Sequence, residues 1–282
     1  SALGYKLVDL DELFEQQHNN QSVKQFVVEN GWEKFREEET RIFKEVIQNY
    51  GDDGYVFSTG GGIVESAESR KALKDFASSG GYVLHLHRDI EETIVFLQSD
   101  PSRPAYVEEI REVWNRREGW YKECSNFSFF APHCSAEAEF QALRRSFSKY
   151  IATITGVREI EIPSGRSAFV CLTFDDLTEQ TENLIPICYG CEAVEVRVDH
   201  LANYSADFVS KQLSILRKAT DSIPIIFTVR TMKQGGNFPD EEFKTLRELY
   251  DIALKNGVEF LDLELTLPTD IQYEVINKRV NS

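Results

Sequence analysis

Tyr55-Val-Phe-Ser-Thr-Gly60-Gly-Gly62-Ile-Val64 is the stretch on which the fold of the first half turns. Tyr55 to Ser58 is short and apolar, the character of a buried parallel strand. Ala72, Leu73 and Phe76 at helical spacing predict a helix after it. Ser78-Ser-Gly-Gly81 ends that helix before a second apolar run, Tyr82 to Leu86. This is a strand–helix–strand crossover, with three glycines where the first strand meets its helix. Bare backbone there can approach an anion and present N–H groups to it. The place is also right, because open α/β sheets bind ligands off the carboxyl ends of their strands. A tight structural turn explains the glycines equally well. No Gly-Lys-Ser/Thr follows, so this is not a Walker phosphate loop.

Upstream, Lys6 to Val8 reads as a strand ending in Asp9-Leu-Asp11. Two carboxylates at that spacing suit a metal or a hydroxylated ligand; an ordinary helix start, with Asp11 and Glu12 complementing the dipole, suits them as well. Ser22-Val-Lys-Gln25 is a capping box opening a short helix that ends at Asn30-Gly31. A longer helix follows from Glu33 to Tyr50, with Phe35, Ile42, Val46, Ile47 and Tyr50 as its apolar stripe. Arg36 falls in its first turn, where a cation opposes the dipole and serves either a ligand or an ion pair. Downstream lie the loop Ser99-Asp-Pro-Ser-Arg103-Pro104 and a helix over 106–124 carrying Arg111, Arg116 and Arg117. The net charge is −16, which argues against nucleic-acid binding. On such a background Arg36, Arg103 and Arg117, on three separate elements, can converge on one anion. Ser135 is the expected N-cap of a helix over 136–154.

The 282 residues allow two domains. No apolar run reaches the length of a membrane span and no signal peptide is visible. Cys188-Tyr-Gly-Cys191 has redox or metal spacing without a second pair or a nearby histidine, so the five cysteines read as ordinary thiols in a reducing, cytoplasmic setting. Ser1 in place of methionine and a strand almost at once give the expectation of a fragment.

Residues 157–167, containing Pro163, Ser164 and Gly165, read as a linker between domains at 1–156 and 168–282. Beyond it, strands at Phe169–Thr173, Ala193–Val198, Ile223–Val229 and Glu259–Leu263 alternate with helices, the clearest over 240–256, and a last helix runs from Thr269 to Asn277. Such units build a doubly wound sheet or a β/α barrel. Glu195, Arg197 and Asp199 alternate with Val196 and Val198, and Asp262 and Glu264 alternate with Leu261, Leu263 and Leu265. In a barrel the apolar set packs on the helices and the charges face the axis. Buried charge must be paired or used, so these residues mark either a site or a structural ion network.

Val8-Asp9-Leu10-Asp11, Phe35-Arg36-Glu37-Glu38-Glu39, Gly60-Gly61-Gly62, Ser102-Arg103-Pro104 and Arg116-Arg117 before Tyr121, in that order, make residues 1–156 similar to shikimate kinases. The resemblance implies a parallel α/β sheet of the P-loop-kinase type, incomplete at its N-terminus, that uses ATP and Mg2+. It implies that Asp9 helps to place the magnesium and Asp11 holds the substrate hydroxyls. Arg36 and Arg117 would grip the shikimate carboxylate, Gly60, Gly61 and Gly62 line the same pocket, and Arg103 reach the ATP phosphates from a lid. The chemistry implied is in-line transfer of the γ-phosphoryl group to the 3-hydroxyl. Two departures stand out: the family's phosphate loop belongs before Ser1, and Trp32 stands where the family usually has glutamate.

From Ala168 on, Glu195-Val-Arg197-Val-Asp199 and Phe227-Thr-Val-Arg230-Thr231 with Gly235-Gly236 resemble type I 3-dehydroquinate dehydratases. These are (β/α)8 barrels working through a lysine Schiff base with no cofactor. The resemblance implies half of such a barrel, with Glu195, Arg197 and Arg230 lining the 3-dehydroquinate pocket and Gln234 standing where the family often has glutamate. Its Schiff-base lysine and His-His-Asp segment are expected beyond Ser282, so neither Lys255 nor Lys278 takes that role.

A kinase followed directly by such a dehydratase is the order of the fungal pentafunctional AROM family. That implies a cytoplasmic homodimer in which the remaining AROM domains are partners. Two functions fit these residues: a two-activity segment of an aromatic amino-acid pathway enzyme, and a catalytically dead scaffold when taken alone. A kinase for another small hydroxy acid remains as a third.

Overall fold

A computed structural model describes residues 4–51, 54–99, 109–158, 160 and 165–280. The chain divides into two compact units. The first holds residues 1–85 and 89–126, the second 86–88 and 127–282.

The first unit begins with strand β1 (Lys6–Asp9), helix α1 (Leu10–Gln17) and helix α2 (Val23–Tyr50). Asp9 is the N-cap of α1, its carboxylate accepting the N–H groups of Asp11 and Glu12. Helix α2 opens on the expected capping box, Ser22 Oγ accepting from Gln25 N and Gln25 Oε1 from Ser22 N. As the sequence predicts, α2 is two helical segments that meet at Gly31, whose φ of 85° and ψ of 164° are not helical. Strand β2 (Tyr55–Ser58) lies parallel to β1 with Asp9 opposite Ser58. The three glycines lead into a short 3-10 turn, Ile63–Glu65, and then helix α3 (Ala67–Ser78). Helices α4 (Ile90–Ser99) and α5 (Ile110–Cys124) complete the unit, and strand β3 (Leu84–His87) straddles the division, Leu86 and His87 belonging to the second unit. Its core gathers Leu10, Phe14, Phe26, Phe35, Ile42, Phe43, Val46 and Ile63. Phe14 meets Phe26 and Phe35 edge-on at 5.1 and 5.0 Å, the favoured aromatic geometry.

Strand β4 (Phe127–Phe130) pairs with β3. Helix α6 (Glu137–Ile154) follows, with Ala136 at its N-cap and no side-chain cap bond. Ser135 is therefore not the cap. Instead its N–H and hydroxyl both donate to Glu139, at 2.8 and 3.2 Å.

The rest of the second unit is the βα alternation. Strands β5 (Phe169–Leu172) and β6 (Ala193–Arg197) are separated by helix α7 (Thr181–Ile187). Helix α8 (Ala206–Ala219) leads to β7 (Ile225–Thr228), and helix α9 (Phe243–Lys255) to β8 (Phe260–Leu261). Helix α10 (Thr269–Val280) closes the series. The four strands are parallel in the order β5-β6-β7-β8. Val194, Val196 and Val198 are buried in the core with Leu213, Leu216, Phe227, Leu246 and Leu249, whereas Glu195 and Arg197 on the opposite face are half-buried. Both strands that carry charge end earlier than their sequence pattern. Asp199 leaves β6 for a 3-10 turn, Val198–His200. Asp262, Glu264 and Leu265 lie beyond β8, and Leu265, expected against helices, is 88% exposed. Alternation persists where hydrogen-bonded partners run out, so it overstates strand length.

Candidate active sites

In the first unit the glycine turn is the floor on which several side chains meet. A Cβ on Gly62 would lie 2.0 Å from an Arg36 nitrogen, and one on Gly60 would lie 3.6 Å from Glu39 Oε1 and 3.7 Å from Asp11 Oδ1. Glycine at 62 thus lets the Arg36 guanidinium lie flat over the turn. Arg36 Nη1 donates to Glu39 at 2.6 Å, and its guanidinium carbon stands 5.1 Å from the rings of Trp32 and Phe35. The cation in the first turn is thereby paired and stacked. Tyr121 closes the turn from α5, its hydroxyl donating to Gly61 O at 2.6 Å.

Arg117, also on α5, is buried at 7% exposure. Its Nε donates to Glu65 at 2.7 Å, and Arg116 donates to the same carboxylate oxygen at 2.7 Å. Partial burial pushes the Glu65 carboxyl up, but the hydrogen bonds from Arg116 and Arg117 outweigh it and hold the group below the ordinary range. Glu39 goes the other way. Burial lifts its carboxyl above the ordinary range against the pull of Arg36, and the charge of Asp11 adds to the rise. Asp11, Arg36, the three glycines and Arg117 are thus brought to one place, with Glu39, Glu65 and Tyr121 as supports whose part no spacing rule announces. Asp9 stands beside them. Both cap bonds go to its Oδ1, so Oδ2 is outside the cap. One carboxylate oxygen is a donor set that suits magnesium shared with phosphates and water. Arg103 lies outside the described residues.

In the second unit the charged ends of β6, β7 and β8 form a second cluster. Arg197 donates to both oxygens of Asp199 at 2.8 Å. Asp199 is buried and also accepts the Asn237 N–H at 3.0 Å. Burial opposes its ionisation, yet the Arg197 and Asn237 hydrogen bonds keep its carboxyl below the usual range. Arg230 donates to Asp262 at 2.6 Å and stands 3.7 Å from Glu264. Glu264 is held by the N–H and hydroxyl of Thr231, at 2.9 and 2.7 Å. Glu195 accepts from the Thr228 hydroxyl at 2.8 Å. Its hydrogen bond and charge add to burial in pushing the Cys171 thiol up to about 11. Gly236 is required here, because a Cβ would lie 2.1 Å from the Arg230 carbonyl oxygen. Gln234 reaches Thr266 at 3.4 Å. Lys255 and Lys278 pair with Asp251 at 3.4 and 3.5 Å. Cys188 and Cys191 are free thiols, Cys188 buried. The sequence pattern carries Glu195, Arg197 and Arg230; the roles of Asn237, Thr228 and Thr231 as partners come from loops and a neighbouring strand, where no local signal marks them.

Comparison with known proteins respects the same division. Residues 1–155 match the family described as "Shikimate kinase", and residues 168–282 the family described as "Type I 3-dehydroquinase". The chain is 99% identical over all 282 residues to a "Pentafunctional AROM polypeptide" of Saccharomyces cerevisiae. It is 70% identical to that of Candida glabrata over the same length, and 63% over 281 residues to that of Kluyveromyces lactis. In each case it spans 18% of the relative's length. A solved chain titled "Dehydroquinate dehydratase and shikimate dehydrogenase from S. pombe AroM" is 35% identical over 41% of this chain and 23% of that one, with a TM-score of 0.39. By the match that takes in more than half its length, the chain belongs to the shikimate kinase family, and from residue 168 it continues into a region that matches the type I 3-dehydroquinases.

Proposed function

We propose that residues 1–155 serve ATP-dependent phosphorylation of shikimate to shikimate 3-phosphate. Residues 168–282 would serve dehydration of 3-dehydroquinate to 3-dehydroshikimate, both within a longer, cytoplasmic, homodimeric enzyme of aromatic amino-acid synthesis whose remaining AROM domains are partners. The observation that carries the first half is the meeting of Asp11, Arg36, Gly60 to Gly62 and Arg117 around one turn. In this reading Asp11 accepts from the substrate hydroxyls, and Arg36 and Arg117 bind the carboxylate as forks. The glycine backbone lines the floor. Asp9 would hold a magnesium ion, which supplies charge neutralisation of the transferring phosphoryl group, and Arg103 would reach the phosphates. For the second half, Glu195, Arg197 and Arg230 would line the 3-dehydroquinate pocket.

The test is kinetic, in the intact polypeptide. Arg117→Lys replaces a bidentate fork by a point charge, so KM for shikimate should rise about tenfold or more while KM for ATP changes little. Equal losses for both ligands remove Arg117 from the carboxylate, and faster turnover of another small hydroxy acid than of shikimate replaces the assigned substrate. Arg230→Ala should abolish most 3-dehydroquinate turnover, and a normal rate takes it out of the pocket. The 282-residue chain alone contains no Gly-x4-Gly-Lys-Ser/Thr stretch and is expected not to phosphorylate shikimate; measurable phosphate transfer from ATP to shikimate by this chain overturns that expectation.

A further inference from the structure

The 3-10 turn Ile63–Glu65 is gripped from three sides. Just before it, Tyr121 on α5 donates to Gly61 O at 2.6 Å. From α3, Arg70 donates to Val64 O at 2.6 Å and to Glu65 O at 3.1 Å, and its guanidinium carbon stands 4.3 Å from the Trp120 ring. Arg70 thus fixes the backbone that carries Glu65. The Glu65 carboxylate then meets α5 from a set position, where Arg116 and Arg117 both donate to its Oε1.

This contact bears on Arg117 in three ways. Arg117 makes it through Nε, so the Nη pair at its tip, the fork that meets a carboxylate end-on, is not what Glu65 holds. The same oxygen also takes Arg116, so two guanidinium charges face one carboxylate and the cluster still attracts a further anion. Other acids compete for the fork. Asp11 and Glu39 lie across the glycine turn, 3.7 and 3.6 Å from where a Cβ on Gly60 would be. Burial lifts the Glu39 carboxyl, and Arg117 stands near enough to oppose that lift, though less than Arg36 does. An arginine as buried as Arg117, at 7% exposure, needs an anionic partner, and the loss of one carboxylate turns it toward the next.

We propose that Glu65 is a positioning residue for substrate binding, an inference that rests on the reading of Arg117 as a ligand of the shikimate carboxylate. Glu65 takes the Nε side of Arg117, aims the Nη fork at the substrate, and keeps it from turning to Asp11 and Glu39. Arg70 and Trp120 hold Glu65 in place for this.

Kinetics of the intact polypeptide test it. Glu65→Gln should raise KM for shikimate about tenfold, the worth of a hydrogen bond to a charged group, with kcat and KM for ATP little changed. Glu65→Asp, which keeps the charge, should recover part of the loss. Shikimate methyl ester, which lacks the carboxylate charge, should inhibit the wild type and Glu65→Gln alike, whereas a residue that only held the turn together would weaken both ligands. In an Arg117→Lys background, Glu65→Gln should add less than about twofold, because both changes act on one interaction. Equal losses for shikimate and its ester overturn the proposal, as does a full tenfold loss on top of Arg117→Lys; a shikimate-selective loss in Arg117→Lys then still keeps that arginine at the carboxylate. A normal KM for shikimate in Arg117→Lys overturns both.

Discussion

Glu65 and Glu39, both beside the glycine turn, are carboxylates that the fold shifts in opposite directions. Glu65 is held below the ordinary carboxylate range by Arg116 and Arg117, against partial burial. A depressed acid stabilises the folded state above its unfolded value, about 4.3, and that contribution is lost as pH falls through the lower folded value. Glu39 is raised by burial, so it opposes folding once pH rises above its unfolded value, fully so above its folded one. Urea titrations from pH 3 to 7 should therefore show Glu65→Gln flattening the acid limb, and Glu39→Gln gaining relative stability toward pH 7. An unchanged acid limb in Glu65→Gln would show that the double arginine contact does not persist in solution. Gly62→Ala is the sharpest steric test, since its Cβ has only 2.0 Å to Arg36. The atoms met are the far end of a flexible side chain, which can swing aside, so Tm should change little while the displaced guanidinium raises shikimate KM. Glycine at this position could be read from the sequence as a turn; that it makes space for Arg36 could not, because Arg36 is on another helix.

Elements were legible where local rules act alone. The capping box at Ser22 and Gln25, the helix over 240–256 and the parallel strand after Gly54 are set by hydrogen bonds and periodicity within a few residues. Strand ends were not, because a strand stops where its neighbour does. Asp199, Asp262 and Glu264 keep the alternation yet leave the strands. Leaving the strand gives Asp199 its role: the turn points its carboxylate toward Arg197 and the N–H groups of Asn237 and Arg230. Gly31 decides the path of α2, and its φ of 85° is a conformation that residues with a Cβ avoid. Nothing lies within 4 Å of a Cβ there, so Gly31→Ala should cost about 1–3 kcal/mol through the backbone alone, read as a shift in the denaturation midpoint. Ser22→Ala, which removes a cap bond, should cost about 1 kcal/mol. A larger loss at Ser22 than at Gly31 would mean that the kink relaxes.

For the whole molecule the net charge of −16 is a property the sequence states outright. Self-repulsion of that size weakens a compact state and is screened by salt. Raising ionic strength from about 0.01 to 0.15 M should therefore raise the melting temperature, and a falling one would show that ion pairs such as Arg36–Glu39 and Arg197–Asp199 matter more than the net field. The sequence by itself determined the α/β class, the two family regions and the chemical identity of Asp11, Arg36, Arg117, Glu195, Arg197 and Arg230, since motif spacing and periodicity are local. Only the tertiary structure decided which carboxylates those arginines face, which glycine clears which side chain, and that the unit boundary by contact falls at residue 127. Those are matters of burial between segments far apart in the chain, and a buried polar group takes whichever partner the packing brings to it.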